Sequence, residues 1–329
     1  MAVRAAIIGW GDVAVIHREA IAAIEHAQLV GVVDTDPGRR FAATAETGAP
    51  AFATVDELVD AVGPDVVHVT TPHDQHIHST LAALGRGVHV VQEKPLAATL
   101  ADAQRLVDVA PAASTKLGIC FQNRYNVSSQ ELRRLFDSGD LGEVRGAYAS
   151  VVWTRSPEYY QRKAWRGSRE HSGGGLLINQ AIHTLDLLQW FLGDVTNVVG
   201  HVATNKYADV SEVEDTAEML LTHASGVQTS FYATLTAPRH RPVELEIECE
   251  NAYVSLCNGL TVAWHGGRVE HYAERKAPSG GRSYWGVSHE LLIRDFYAKL
   301  ADPEPFWISP AEALKSLRIV KQTYEASGR

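Results

Sequence analysis

Lys94 closes an apolar run and is followed at once by Pro95, while His183 stands four residues after Asn179 in a segment of helical spacing. A lysine in a turn that proline rigidifies can polarise an oxygen, and an imidazole can take up or release a proton near neutral pH. Asn179 and His183 project from one helix face, with Asp186 three residues further on. A third feature, Gly9-Trp10-Gly11-Asp12-Val13-Ala14, follows the apolar run Val3 to Ile8 and opens a helical segment. That order of strand, glycine turn and helix is the setting of a dinucleotide fingerprint. Gly9 permits the tight turn, Gly11 lets the backbone approach a pyrophosphate, and Ala14 in the third glycine's place still allows close packing.

The elements that must position these residues alternate through the first third of the chain. Val3 to Ile8, Gln28 to Val33, Val66 to Thr70, Val88 to Val91 and Leu117 to Phe121 read as strands covered on both faces. Val13–Ile24, Pro37–Glu46, Gln75–Leu84 and Leu100–Val109 read as the helices between them, the last capped by Thr99 with Asp102 behind it. This order predicts a doubly wound parallel sheet, a Rossmann domain over residues 1–122. Asp34 ends the second strand, where a carboxylate accepts hydrogen bonds from the adenosine ribose and disfavours an added phosphate. NAD is therefore expected over NADP, although Arg39 and Arg40 keep NADP open. Residues 123–329 change rhythm. A helix at Ser128–Phe136, a strand at Glu143–Trp153, a long irregular stretch and a helix at Leu176–Leu192 precede alternating strands from Val195 to His271. Two closing helices follow at Val287–Leu300 and Pro310–Ala326, the second with Ser309 and Glu312 as a near-complete capping box. The expectation is a C-terminal α/β domain with an open, mostly antiparallel sheet of the kind that pairs subunits into a homodimer or homotetramer.

Bulk properties narrow the classes. A chain of 329 residues suits two domains around a shared cleft, and a formal charge of -9 argues against a broad nucleic-acid surface. No apolar run approaches the length of a membrane span, and the start is too quickly interrupted for a signal peptide, which points to the cytoplasm. Cys120, Cys249 and Cys257 form no metal spacing, and Cys120 and Cys257 lie in apolar runs that predict buried, inert thiols. His73, His76 and His78 cluster without Cys or carboxylate partners in a ligand pattern, so no metal is expected. His265, His271 and His289 are expected to be exposed.

With the glycine turn, four ordered pieces resemble the Gfo/Idh/MocA oxidoreductases, named for glucose–fructose oxidoreductase and inositol dehydrogenase. These are Thr70-Thr71-Pro72-His73-Asp74-Gln75-His76, Glu93-Lys94-Pro95, Trp165-Arg166-Gly167, and the run from Gly173-Gly174-Gly175 through Asn179 and His183 to Asp186. The resemblance implies an NAD(P)-dependent oxidoreductase acting on a secondary hydroxyl of a sugar, sugar derivative or cyclitol. It implies catalytic roles for Lys94, His183 and Asn179. The commoner residue at position 179 in that family is Asp, so Asn179 removes a charge beside His183 and favours a neutral acceptor. The implied cofactor residues are Gly9, Trp10, Gly11, Asp12, Val13, Asp34, Thr70, Thr71, Pro72, His76, Glu93, Lys94, Trp165 and Arg166. The implied substrate residues are Lys94, Asn179 and His183. Asn123, Arg124 and Tyr125 fall where the Rossmann sheet hands over to the second domain, a natural rim for a cleft, and Tyr160 in the polar loop before Trp165 offers a hydroxyl or a ring face to a sugar. The triple glycine reads as a flexible lead-in passing close to the cofactor. Two other readings stay open: a glycoside-cleaving or eliminating enzyme using transient oxidation, and a non-catalytic sensor of dinucleotide or sugar.

Overall fold

The computed structural model describes residues 2–110, 115–275 and 288–329, arranged as two compact units. The first comprises Met1–Gln122 with Ser288–Leu314, the second Asn123–Val287 with Lys315–Arg329.

In the first unit β1 (Val3–Ile8), β2 (Ala27–Val33), β3 (Ala51–Phe52), β4 (Val66–Val69), β5 (His89–Glu93) and β6 (Leu117–Cys120) form one sheet in the order β3-β2-β1-β4-β5-β6. Every pairing is parallel. All four residues of β4 and of β6 are buried, as helices on both faces require. The strand order reverses between β1 and β4, which makes the carboxyl ends of those strands and of β5 the ligand edge of the sheet. The edge strand β3 and the helix Val55–Val62 after it were not anticipated. Thr54 caps that helix by accepting from the Glu57 N–H, and Glu57 reaches back to the Ala53 N–H.

The return of Ser288–Leu314 to the first unit departs from the expected boundary, and packing on β6 explains it. A Cβ on Gly118 would stand 2.8 Å from the rings of Phe296 and Phe306, so glycine there admits both aromatics. The Ile119 N–H donates to the Ile308 carbonyl at 3.0 Å, and Lys116 Nζ donates to the Glu304 carbonyl. The helix His289–Ala298 begins two residues later than expected, and Val287 lies outside the described residues.

The second unit is built on β7 (Val144–Val152), β8 (Val195–Ala203), β9 (Thr216–His223), β10 (Gln228–Thr234), β11 (Glu244–Cys249), β12 (Ala252–Leu256), β13 (Gly259–Trp264) and β14 (Val269–Ala273). Their order is β14-β13-β12-β11-β7-β10-β9-β8, antiparallel throughout except for β7 with β10. Burial alternates along β9 and β10, so one face of the sheet carries Ala217, Met219, Leu221, Phe231 and Ala233 into the core. The stretch expected to be irregular holds short helices at Pro157–Gln161 and Arg169–Ser172. Cys120 and Cys249 are buried, whereas Cys257 is exposed, because its apolar run ends in the turn between β12 and β13.

Candidate functional site

The ligand edge of the first unit is made by three loops. At the first, Gly9 has φ +94°, and a Cβ would come within 3.0–3.1 Å of Thr70 and Thr71, so only glycine turns the chain there. Around Gly11 the space a Cβ would take is open, which leaves its backbone accessible to a pyrophosphate. The Trp10 N–H donates to Asp34 Oδ2 at 2.8 Å, tying this turn to the end of β2. Asp12 is exposed and Val13 half-buried where the helix Ala14–Ala22 begins. Arg39 Nη1 lies 3.8 Å from the Asp34 carboxylate, and Arg40 donates to the carbonyls of Asp34 and Thr35. The Arg40 guanidinium is thus engaged by backbone carbonyls, while Arg39 is exposed.

At the second loop Thr70 Oγ1 donates to the Gly9 carbonyl at 2.6 Å. Thr71 Oγ1 is buried with no hydrogen-bond partner among the described residues, a vacancy that a bound dinucleotide fits. Pro72 is half-buried beside it. His76 was expected to address the cofactor; it is 1% exposed instead, its Nδ1 2.8 Å from the Pro95 carbonyl and its Nε2 3.0 Å from that of Thr71. It packs between the second loop and the third, its single N–H when neutral donating to one of these carbonyls, and burial lowers its pKa. His73 is buried and His78 exposed.

The third loop carries Glu93, Lys94 and Pro95. From Val90 to Ala98 every residue is buried except Lys94. Gln92 fixes the loop by donating to the Leu96 carbonyl at 2.8 Å while accepting from Thr80. The sequence resemblance implies a cofactor role for Glu93, but its side chain has another engagement. Its Oε1 faces His17 Nε2 at 3.0 Å and His289 Nε2 at 3.2 Å, and its Oε2 accepts the Lys94 N–H. His17 Nδ1 meets His68 Nδ1 at 2.7 Å, and His68 Nε2 meets the Tyr297 hydroxyl at 2.6 Å. Burial opposes the ionisation of Glu93, but the bonds from the two histidines hold its carboxyl well below the usual range. Burial likewise lowers His17, and His68 further. His289, expected on the surface, is 5% exposed, because the chain returns to the first unit at that point. His17, Glu93 and His289 are also the described group whose ligand atoms come within 4.8 Å of one another.

In the second unit the segment Ser172–Gln189 is buried throughout except at Asn179 and His183. A hydrophobic helix thus offers two polar side chains, four residues apart, at its accessible places. A π-helical turn, Leu177–Ala181, precedes the α-helix Ile182–Leu192, and such turns are frequent at functional sites. The triple glycine ahead of it is not a flexible lead-in. A Cβ on Gly174 would lie 2.0 Å from Tyr324 Oη, and one on Gly175 would lie 2.1 Å from the Glu214 carbonyl. The Glu214 carboxylate accepts from the Gly175 and Leu177 N–H groups and from Tyr324 Oη, and Lys321 Nζ donates to the Gly173 carbonyl. Burial raises Glu214 and lowers Lys321 to about 8. The glycines are there for close packing that fixes the start of the Asn179–His183 helix.

Arg124 was expected to bind substrate. It is 1% exposed, and its Nε and Nη2 each donate to Asp186 at 2.7 Å, so it braces the helix that carries His183. Asn123 and Tyr125, in the same turn, are half-buried. Tyr160 is 2% exposed, packed beside Tyr159 and Tyr207, and its hydroxyl has no hydrogen-bond partner among the described residues. Trp165 and Arg166 are half-buried, with the Arg166 guanidinium 4.6 Å from the centre of the Tyr159 ring. The Tyr159 hydroxyl accepts from Gln180, the neighbour of Asn179. Sequence reasoning missed Gln180, Glu214 and Tyr324; Gln180 alone carried a signal, a polar side chain in an apolar run, while Glu214 and Tyr324 stand among polar neighbours.

Residues 3–121 match the oxidoreductase family with an NAD-binding Rossmann fold, and residues 129–255 match the GFO/IDH/MocA C-terminal domain. A putative UDP-kanosamine synthase oxidoreductase subunit of Amycolatopsis mediterranei is 29% identical, the alignment covering 100% of this chain and 97% of that protein. Inositol 2-dehydrogenase 1 of Saccharopolyspora erythraea is 26% identical over 83% of this chain and 79% of its own length. Among solved structures, the WlbA dehydrogenase of Bordetella pertussis, in complex with NADH and UDP-GlcNAcA, superposes with a TM-score of 0.86. It is 28% identical, with 100% of this chain and 97% of that one covered. The glycine turn, the Glu93-Lys94-Pro95 loop and the Asn179–His183 helix therefore stand in a chain that belongs to the Gfo/Idh/MocA family of NAD-binding oxidoreductases.

Proposed function

We propose that this chain oxidises a secondary hydroxyl of a sugar, sugar derivative or cyclitol, or reduces the matching ketone, with NAD as cofactor. The observation that carries this reading is selective exposure: Lys94 in one buried loop, Asn179 and His183 in one buried helix. We assign dinucleotide binding to the first unit and substrate binding to the second. NAD bound there would supply the hydride acceptor for the carbon that bears the hydroxyl. The Gly9–Val13 turn receives the pyrophosphate through backbone N–H groups and a helix N-terminus, and Asp34 receives the adenosine ribose. Thr70, Thr71, Pro72, Glu93, Trp165 and Arg166 complete the cofactor surroundings, with His76 packed between the loops. Lys94 polarises the hydroxyl oxygen, His183 takes its proton, and Asn179 orients the imidazole or the substrate by a hydrogen bond. Asn123 and Tyr125 supply further substrate contacts, while Arg124 acts through Asp186 and Tyr160, 2% exposed, acts by packing against Tyr159 and Tyr207.

The test is a panel of sugars, nucleotide sugars and cyclitols with NAD+ and NADP+, followed by reduced-nicotinamide absorbance. Turnover with at least one member, faster with NAD+, is expected. Dinucleotide retained through desalting, with glycoside cleavage and no net reduction, would move the chain to the transient-oxidation class. Binding without any turnover would make it a sensor.

We also propose that two copies pair through the open face of the second sheet. Val199, Leu220, Ser230 and Tyr148 stand in one cross-strand row, and Val199 is 61% exposed. Tyr232 and Tyr253 add further exposed apolar surface. A band of this kind is a place for a partner subunit. Leu220→Asp should convert a dimer or tetramer into smaller species by light scattering, and an unchanged mass would refute the interface. No described helix is long and apolar enough to cross a membrane, and we place the enzyme in the cytoplasm with the NAD pool.

A further inference from the structure

We propose that Glu93 is a fixed counter-charge for the oxidised nicotinamide, held as an anion by a histidine network and so biasing the site toward NAD+ over NADH. The proposal rests on the reading above, in which Lys94 works at the nicotinamide end of the cofactor. The Glu93 carboxylate is bonded to the Lys94 backbone N–H, which puts the charge one residue from that chemistry.

The hydrogen bonds determine the charge state. An ionised carboxylate only accepts, so His17 and His289 must each present Nε2–H to Oε1. A neutral His17 then has a bare Nδ1, which requires Nδ1–H on His68. His68 is left with a bare Nε2, and the Tyr297 hydroxyl donates to it. One assignment therefore satisfies the chain from Tyr297 to Glu93 with His17 and His68 neutral, a neutral phenol and a carboxylate anion. A concerted shift of every proton toward Glu93 would end in a tyrosinate. Burial raises Tyr297 and its surroundings hold Glu93 low, so that state is disfavoured at both ends. The network is a lock on the charge rather than a path for a proton.

Its members come from four places in the sequence: His17 on the helix after the glycine turn, His68 on β4, Glu93 at the end of β5, and His289 and Tyr297 on the returning helix. His17 and His68 are 0% exposed, so this is an expensive arrangement for a core that hydrophobic residues could fill. The oxidised nicotinamide ring carries a positive charge that the reduced ring lacks. A nearby buried anion stabilises the first and leaves the second almost unaffected.

The test is NADH binding by fluorescence and NAD+ binding by competition, on the wild-type protein and on Glu93→Gln and His289→Leu. Glu93→Gln should weaken NAD+ about tenfold, or about 1.4 kcal/mol, and NADH by less than about threefold. His289→Leu, which keeps the carboxylate and removes one donor, should shift the ratio the same way by a smaller factor, and it serves if Glu93→Gln does not fold. Equal weakening of both nucleotides, or none, would overturn the counter-charge while leaving the proposed function standing. A wild-type protein that binds neither nucleotide would overturn both. One equivalent of a transition metal per chain in the purified protein would overturn the network as drawn, because Nε2 of His17 and His289 would then be lone-pair donors.

Discussion

Lys94→Ala is expected to lower kcat by at least ~100-fold and to leave the dinucleotide bound. A positioned group that stabilises developing charge on the reacting oxygen contributes only as the reaction proceeds, so its loss falls on kcat more than on cofactor affinity. The surroundings make the variant a clean one. Lys94 is the exception to burial between Val90 and Ala98, so truncating it opens no cavity in the sheet. Gln92, His76 and Glu93 hold the loop through its backbone, and none of those bonds uses the Lys94 side chain. The residues proposed to bind the dinucleotide, the glycine turn and Asp34, lie in other loops. The measurement is steady-state turnover on the substrate found by the panel, alongside NADH titration. Turnover near wild type would remove Lys94 from the chemistry and leave His183 as the remaining candidate for the proton.

The first unit was legible because a parallel sheet buried on both faces leaves unbroken β-branched runs, and β1, β4 and β6 lie where those runs do. The two-residue β3 leaves no such run and was missed. Nor could periodicity say which unit a late helix joins. The helix at His289–Ala298 was recognisable, but its place against β6 depends on Gly118 making room for Phe296 and Phe306. The same limit hid the histidine network, whose partners lie 51, 76, 196 and 229 residues apart. The clue in the sequence was His17 and His68 standing among apolar neighbours. Lys94, Asn179 and His183 stand out in the sequence for the opposite reason: each sits in a local pattern that its side chain interrupts. Arg124 was misread because a charged residue between domains looks like a rim, and its partner Asp186 lies 62 positions away.

That pair sets the second large effect. Asp186→Ala should destabilise the second unit by about 3–5 kcal/mol, because it strands a buried guanidinium. Arg124 and Asp186 are each 1% exposed, and their two bonds of 2.7 Å form a bidentate fork. The Arg124 guanidinium also lies 5.3 Å from the centre of the Trp190 ring, so it has no open direction in which to reach water once its carboxylate is gone. The check is a urea unfolding midpoint on wild type, Asp186→Ala, and the double variant Arg124→Met with Asp186→Leu. Replacing both partners by apolar side chains removes the stranded charge, so the double variant should recover most of the loss. It should not recover activity to the same degree. Asp186 is one turn from His183 on the same helix, and the ion pair fixes that helix to the turn holding Asn123 and Tyr125. A double variant that is stable yet slow would show that the pair acts on catalysis through helix placement. A single variant within about 1 kcal/mol of wild type would show that water reaches Arg124.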